Sequence, residues 1–258
     1  MMRLLLVTYE FPPKGGVGVQ RPLKTARYLA EAGWDVTVLT VADPPTAMLD
    51  PDLLAELPPS VRVERAWSLE PTRLVQYFTR WRMRVAGGAP MSASRPAGGA
   101  RGVSGLPRGV VRLVQALFVP DEKYWWTPWA VRRGIRLHQE VPFDCILASG
   151  PPFTALGVGR RLGRALRIPW VADLRDPVVG GYFFRPPTPL HAALIGAFER
   201  RVVRSAARVI TVTEGMRAEL IERHPGAVGR TVTVRNGYDP PDFAGPGPQL
   251  HPRFTKKY

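Results

Sequence analysis

The chain has 258 residues, 45% of them hydrophobic, and carries 36 Lys+Arg against 21 Asp+Glu, a net charge of +15. That length allows one large or two small domains with a sizeable core, and the charge favours anionic partners: nucleic acid, anionic lipid or phosphorylated compounds. A single cysteine excludes an internal disulfide and a cysteine-rich metal site, the four histidines lack ligand spacing so that no metal is expected, and no run reaches the ~18 apolar residues of a membrane span.

The opening run, residues 3–8, is short, apolar and bounded by turn residues, which predicts a buried parallel strand. It stops too soon for a signal peptide, so the expected location is cytoplasmic. Two prolines follow, then glycines at 15, 16 and 18, then an amphipathic helix closed by Gly33. Glycines let a backbone approach a ligand closely, and the first N–H groups of a helix suit a phosphate or carboxylate. This predicts an anion-tolerant crevice at the end of the first strand, although a tight strand-to-helix turn alone would also use glycine. A dinucleotide fingerprint fits poorly. Residues 9–14 separate the strand from Gly15, the second strand (35–40) ends without an acid, and Asp43 lies beyond it.

The connection 43–59 is Pro-rich, and 61–66 alternates like a third strand. Residues 72–85 have helical spacing, and 86–109, rich in Gly, Ala, Pro, Ser and Arg without an acid, predict a mobile loop. Helices are expected at 110–119 and 128–140. A strand at 143–149 contains the lone Cys145, which reads as a buried, inert thiol. Then come a helix to about Leu166, a strand at 169–173, a helix at 191–206, a strand at 208–212, a helix at 214–223 and a last strand at 231–235. Strands separated by helices imply an α/β protein: a Rossmann-like, mostly parallel sheet with helices on both faces.

Ligands of such sheets bind beyond the carboxyl ends of the strands, and polar clusters stand there. They are Gly15, Gly16 and Gly18; Ser149-Gly150-Pro151-Pro152; Asp173-Leu174-Arg175-Asp176; Thr213-Glu214; and Asn236-Gly237 with Asp239. Each has a plainer reading. Asn-Gly makes turns, Glu214 suits the first turn of a helix, and Arg175 with Asp176 could be a structural ion pair.

Taken in order, the segments Tyr-Glu-Phe-Pro-Pro-x-Gly-Gly-x-Gly (9–18), Ala-Ser-Gly-Pro-Pro-Phe (148–153), Ala-Asp-Leu-Arg-Asp-Pro (172–177), Val-Ile-Thr-Val-Thr-Glu-Gly-Met (209–216) and Val-Arg-Asn-Gly-Tyr-Asp (234–239) resemble the N-terminal half of family 4 glycosyltransferases of the GT-B fold. The branch resembled acts in cell-surface polysaccharide assembly. The resemblance implies two Rossmann-like domains face to face, the first binding the acceptor and the second a nucleotide-sugar donor. It also implies retention of anomeric configuration, no metal, and no cofactor beyond the nucleotide-sugar as co-substrate. Residues 1–241 would be the acceptor domain, and 242–258 a linker with the cut-off start of a donor domain, so that the chain alone would be inactive.

By the same resemblance Gly15, Gly16 and Gly18 face the donor phosphates, and Asp173 or Asp176 orients or deprotonates an acceptor hydroxyl. Arg175, Ser149, Gly150 and Glu214 lie on the acceptor side, with Arg175 holding a phosphate where many family members carry a histidine. Asn236, Gly237 and Asp239 mark the interdomain hinge.

The basic charge is uneven. Residues 62–112 hold ten arginines against Glu64 and Glu70, interleaved with Trp67, Tyr77, Phe78 and Trp81. More aromatics (Tyr124, Trp125, Trp126, Trp129) stand near Arg132, Arg133 and Arg136. Arginine with aromatic residues suits an anionic membrane surface. A non-catalytic lipid-binding module is therefore the alternative function, and single-stranded nucleic acid a further possible partner, though no reader motif is visible.

Overall fold

A computed structural model describes residues 1–42, 48–69, 119–181, 186 and 188–240. Seven strands run in chain order: β1 (Arg3–Thr8), β2 (Asp35–Val41), β3 (Arg62–Ala66), β4 (Cys145–Gly150), β5 (Trp170–Leu174), β6 (Arg208–Thr211) and β7 (Thr231–Thr233). Among the described residues five α-helices connect or flank them: α1 (Val17–Glu31), α2 (Thr127–Glu140), α3 (Thr154–Leu166), α4 (Pro189–Ser205) and α5 (Glu214–Arg223). Every strand pair is parallel, in the order β3-β2-β1-β4-β5-β6-β7. The order reverses between β1 and β4, which makes their carboxyl ends the switch point where such sheets open a crevice.

Alternation along β1 sorts the two cores. Leu4 and Leu6 pack with Val19, Leu23 and Ala26 of α1. Leu5 and Val7 face the opposite layer, built from α2 to α5. On that layer α3 lies close against the sheet because two of its three glycines, Gly159 and Gly163, face it. A Cβ on Gly159 would stand 2.5 Å from the Ala148 Cβ, and one on Gly163 would stand 2.8 Å from Trp170 Cδ1.

The strand-and-helix alternation read from sequence is present, with shifted ends. The fourth strand begins at Cys145, the last one stops at Thr233, and α3 starts only after Pro151-Pro152-Phe153. Cys145 is half-buried, and burial with the neighbouring Asp144 pushes its thiol up, away from the reactive thiolate. The expected helix at 72–85, the loop at 86–109, Asp43 and the tail at 242–258 lie outside the described residues, as does nearly all of the helix expected at 110–119. No helix among the described residues is long and apolar enough to cross a membrane.

Candidate functional site

The first loop of the crevice is held from below. Lys14 pairs with Glu10, the Gly15 N–H donates to the Met48 carbonyl at 2.9 Å, and the Asp50 N–H donates to the Pro13 carbonyl at 2.7 Å. The three glycines are not equivalent. Gly16 has φ +105°, a conformation that a side chain would strain. A Cβ on Gly15 would crowd the Asp50 Cβ at 3.1 Å, whereas one on Gly18 would make ordinary contact with Glu10 Cγ at 3.5 Å. No side chain caps the start of α1, and its first turn holds no acid.

Three strand-end segments converge on Arg175. Its two Nη groups donate to the carbonyls of Gly18, in the first turn of α1 beside the glycine loop, and Pro151, after β4. Its own N–H donates to the Gly150 carbonyl at 2.9 Å. Arg175 therefore ties the loops after β1, β4 and β5 together. Burial lowers its pKa, with Asp173, Glu10 and Asp176 pulling the other way. Its Nε is buried and has no acceptor among the described residues.

Asp173, the penultimate residue of β5, is buried and has both carboxylate oxygens engaged. Arg21 of α1 donates to them from Nε at 3.1 Å and from Nη2 at 2.8 Å, and the Ser149 hydroxyl donates at 2.7 Å. Ser149 is itself buried and meets the crevice through Asp173. Asp176 differs: it is exposed, and no described residue bonds its carboxylate. Glu214 opens α5 with its side chain 62% exposed and 3.8 Å from Arg217, so its visible role is at the start of that helix.

The segment after β7 folds back onto α1. Arg21 Nη1 donates to the Val234 carbonyl at 3.1 Å, the Arg235 carbonyl at 3.3 Å and Asn236 Oδ1 at 3.1 Å. Asp239 is buried against the same helix, 2.8 Å from Lys24 Nζ, with the Tyr28 hydroxyl donating to it at 2.6 Å and Arg27 at 3.4 Å. These partners hold its carboxyl below the usual range. Gly237 has open space around it.

Two further supporting residues were, like Arg21, missed from sequence. Asp121 accepts the N–H and hydroxyl of Thr154 at 2.8 and 2.6 Å and so caps α3, though burial pushes its pKa up. Glu199 of α4 is buried and accepts the Val179 N–H at 3.1 Å, three residues past Asp176. Arg223 donates to it at 3.0 and 3.3 Å, and His224 Nε2 lies 2.9 Å away. A Pro-rich turn before a helix could have signalled the need for a cap. Nothing local marks Glu199, whose partners sit two elements later.

The arginine-aromatic region is partly neutralised where it is described. Glu64 takes Arg62 at 2.6 Å and Arg133 at 2.6 Å, and Arg62 also reaches Glu140 at 3.1 Å. Arg80, Arg82 and Arg84 lie outside the described residues.

Buried carboxylate, solvent-facing carboxylate, tied guanidinium and glycine loop thus stand together at the carboxyl ends of β1, β4 and β5, an arrangement able to orient a hydroxyl beside an anion. The model of the glycosyl transferase 4-like domain matches residues 15–237, and the chain belongs to that family. Comparison with curated protein sequences gives no match. Similar solved structures include apo UGT2 of Phytolacca americana, at 15% identity and TM-score 0.47 over 92% of this chain and 52% of that one. A UDP-N-acetylglucosamine 2-epimerase gives 15% and 0.45 over 92% and 52%. The Streptomyces sp. SF2575 glycosyltransferase SsfS6, complexed with thymidine diphosphate, gives 14% and 0.44 over 92% and 56%. The chain spans about half the length of these structures.

Proposed function

We propose that this chain is the acceptor-binding half of a retaining, metal-independent glycosyltransferase, with a nucleotide-sugar donor held by a second domain across the crevice. The acceptor class is a cell-surface polysaccharide, a glycolipid or a lipid-linked sugar. The observation that carries the reading is the convergence of the Gly15–Gly18 loop, Ser149-Gly150 and Asp173–Asp176 at the switch point, in a chain of this family.

Asp176 is the carboxylate that meets the acceptor hydroxyl, because it alone of the two aspartates faces solvent without a described partner. Asp173, with both oxygens engaged, acts through position: it holds α1 and β4 in register around Asp176. Arg175 spends its Nη groups on carbonyls, so its contribution to an anion is charge at short range rather than a two-pronged grip. The uncapped start of α1 supplies N–H groups towards donor phosphates.

The test has two arms. Calorimetry of this chain with UDP- and GDP-sugars should show no micromolar binding; such binding would sink the half-enzyme reading. In an enzyme that joins this chain to a donor domain, Asp176→Asn should lower turnover about 10²- to 10⁴-fold, the range of a lost acid–base group. Transfer at the parent rate would remove Asp176 from the chemistry, whereas no transfer by the joined parent enzyme would favour a non-catalytic lipid-binding module.

A further inference from the structure

We infer that the outer face of α3 and α4 is a docking surface for an anionic phospholipid bilayer. Helical spacing puts Arg160, Arg161 and Arg164 on one outer stripe of α3, and Leu190, Leu194 and Arg201 on one outer stripe of α4. The stripes join. A Cβ on Gly157 would lie 3.2 Å from Arg161 Nη1 and 3.5 Å from the Phe198 ring of α4. The surface continues past α3, where the Arg161 guanidinium sits 5.9 Å over the Tyr124 ring, itself 6.2 Å from Trp125.

Among the described residues, no carboxylate pairs with the arginines of this face. The charges that act on Arg160 are those of Arg161, Arg201 and Arg164, all positive, and with burial they lower its pKa. Elsewhere arginines meet carboxylates: Arg21 with Asp173, Arg133 with Glu64, Arg223 with Glu199. Glu122, beside the aromatic end, is already 3.3 Å from Lys123. Like charges gathered without a counter-ion repel, and an external anionic surface relieves that repulsion.

A bilayer fits better than nucleic acid because the stripe is also apolar. Leu190 is 68% exposed, Leu194 43% and Trp125 37%. Leucine and aromatic side chains beside arginine suit the boundary between headgroups and acyl chains, whereas a phosphate backbone would leave the leucines in water. The inference is independent of the sugar-transfer reading, and either can fail without the other.

Flotation of this chain with phosphatidylcholine vesicles, with and without about one-third phosphatidylglycerol, tests it. The chain should bind the anionic vesicles and come off as salt rises. The triple change Arg160→Gln, Arg164→Gln and Arg201→Gln should weaken binding about 100-fold, roughly fivefold per charge. Lysine at the same three positions should retain it, which separates lost charge from a damaged fold. Leu190→Ser with Leu194→Ser should also weaken it, while Arg132→Gln, Arg136→Gln and Arg235→Gln, removing equal charge elsewhere, should not. Four results overturn the assignment: no binding by the parent, equal loss in the control triple, indifference to the leucine changes, or tighter binding to a single-stranded oligonucleotide than to vesicles at matched salt.

Discussion

Arg21 and Asp173, 152 positions apart in sequence, meet in a two-pronged ion pair at the carboxyl end of β5. The same guanidinium holds three acceptors of the segment after β7. One side chain of α1 thus joins the middle of the sheet to its last strand. Arg21→Ala would leave a buried carboxylate without its counter-charge, a change that costs about 3–5 kcal/mol. Urea unfolding of the chain measures it. A loss under about 1 kcal/mol would mean that water or a neighbouring cation replaces Arg21.

Glycine substitutions on the helical layer should split by site. Gly159→Ala forces a Cβ to within 2.5 Å of the Ala148 Cβ, and overpacking of that kind costs about 1–3 kcal/mol. Gly196, inside α4, has nothing within 4 Å of its Cβ position, so Gly196→Ala should stabilise by about 0.5–1 kcal/mol. Thermal melts of the two variants should move in opposite directions. A Gly159→Ala melting point that does not fall contradicts the close approach of α3 to β4, and a Gly196→Ala melting point that falls contradicts the open space at Gly196.

Glu199 should act on the loop that carries Asp176. Glu199→Ala removes the acceptor of the Val179 N–H and strands Arg223 beside it. Arg223 is 32% exposed and 4.0 Å from Glu219, so the loss should fall below the ~3–5 kcal/mol of a fully buried pair, and the Val179 amide should exchange with deuterium faster. Glu199→Gln keeps an acceptor and should preserve more of that protection. Unchanged exchange at Val179 in the alanine variant would show that Glu199 does not hold the loop.

The contact between Asp239 and α1 should be acid-sensitive. Lys24 and Tyr28 hold its folded pKa below the ordinary carboxylate value, so its stabilising effect is present above about pH 4 and is lost as pH falls through the folded pKa. Protection of the amides of residues 234–239, taken relative to the intrinsic exchange rate at each pH, should hold near pH 5 and fall below about pH 4, while Asp239→Asn should show low protection throughout, with no acid step. The same acid step in the variant would place the titrating group elsewhere.

Much of this arrangement was readable in the sequence, because strand runs and their polar ends are local features. The apolar runs at 3–8 and 35–40 and the Asp173–Asp176 cluster announce a parallel sheet with a site at its edge. Partnership was not readable. Arg21 lies mid-helix among Lys24 and Arg27, a pattern shared with any solvated face, and its acceptors are encoded far downstream. Asp239 reads as part of a turn after Asn-Gly, yet it is buried against Lys24 and Tyr28. Ser149 looked available to a ligand until Asp173 was found to take its hydroxyl. The charge of residues 62–136 could be counted but not paired, and pairing decides how much of it a partner feels.

Because one guanidinium, that of Arg175, serves the loops after β1 and β4 from the end of β5, the rim of the crevice behaves as a single mechanical unit. A substitution at Gly18, Pro151 or Arg175 will disturb the other two positions as well. Loss of activity at any one of them therefore does not map a substrate contact, and their effects should be strongly epistatic. Only pairwise combinations of changes, compared with the sum of the single ones, can separate what the rim touches from what keeps it in shape.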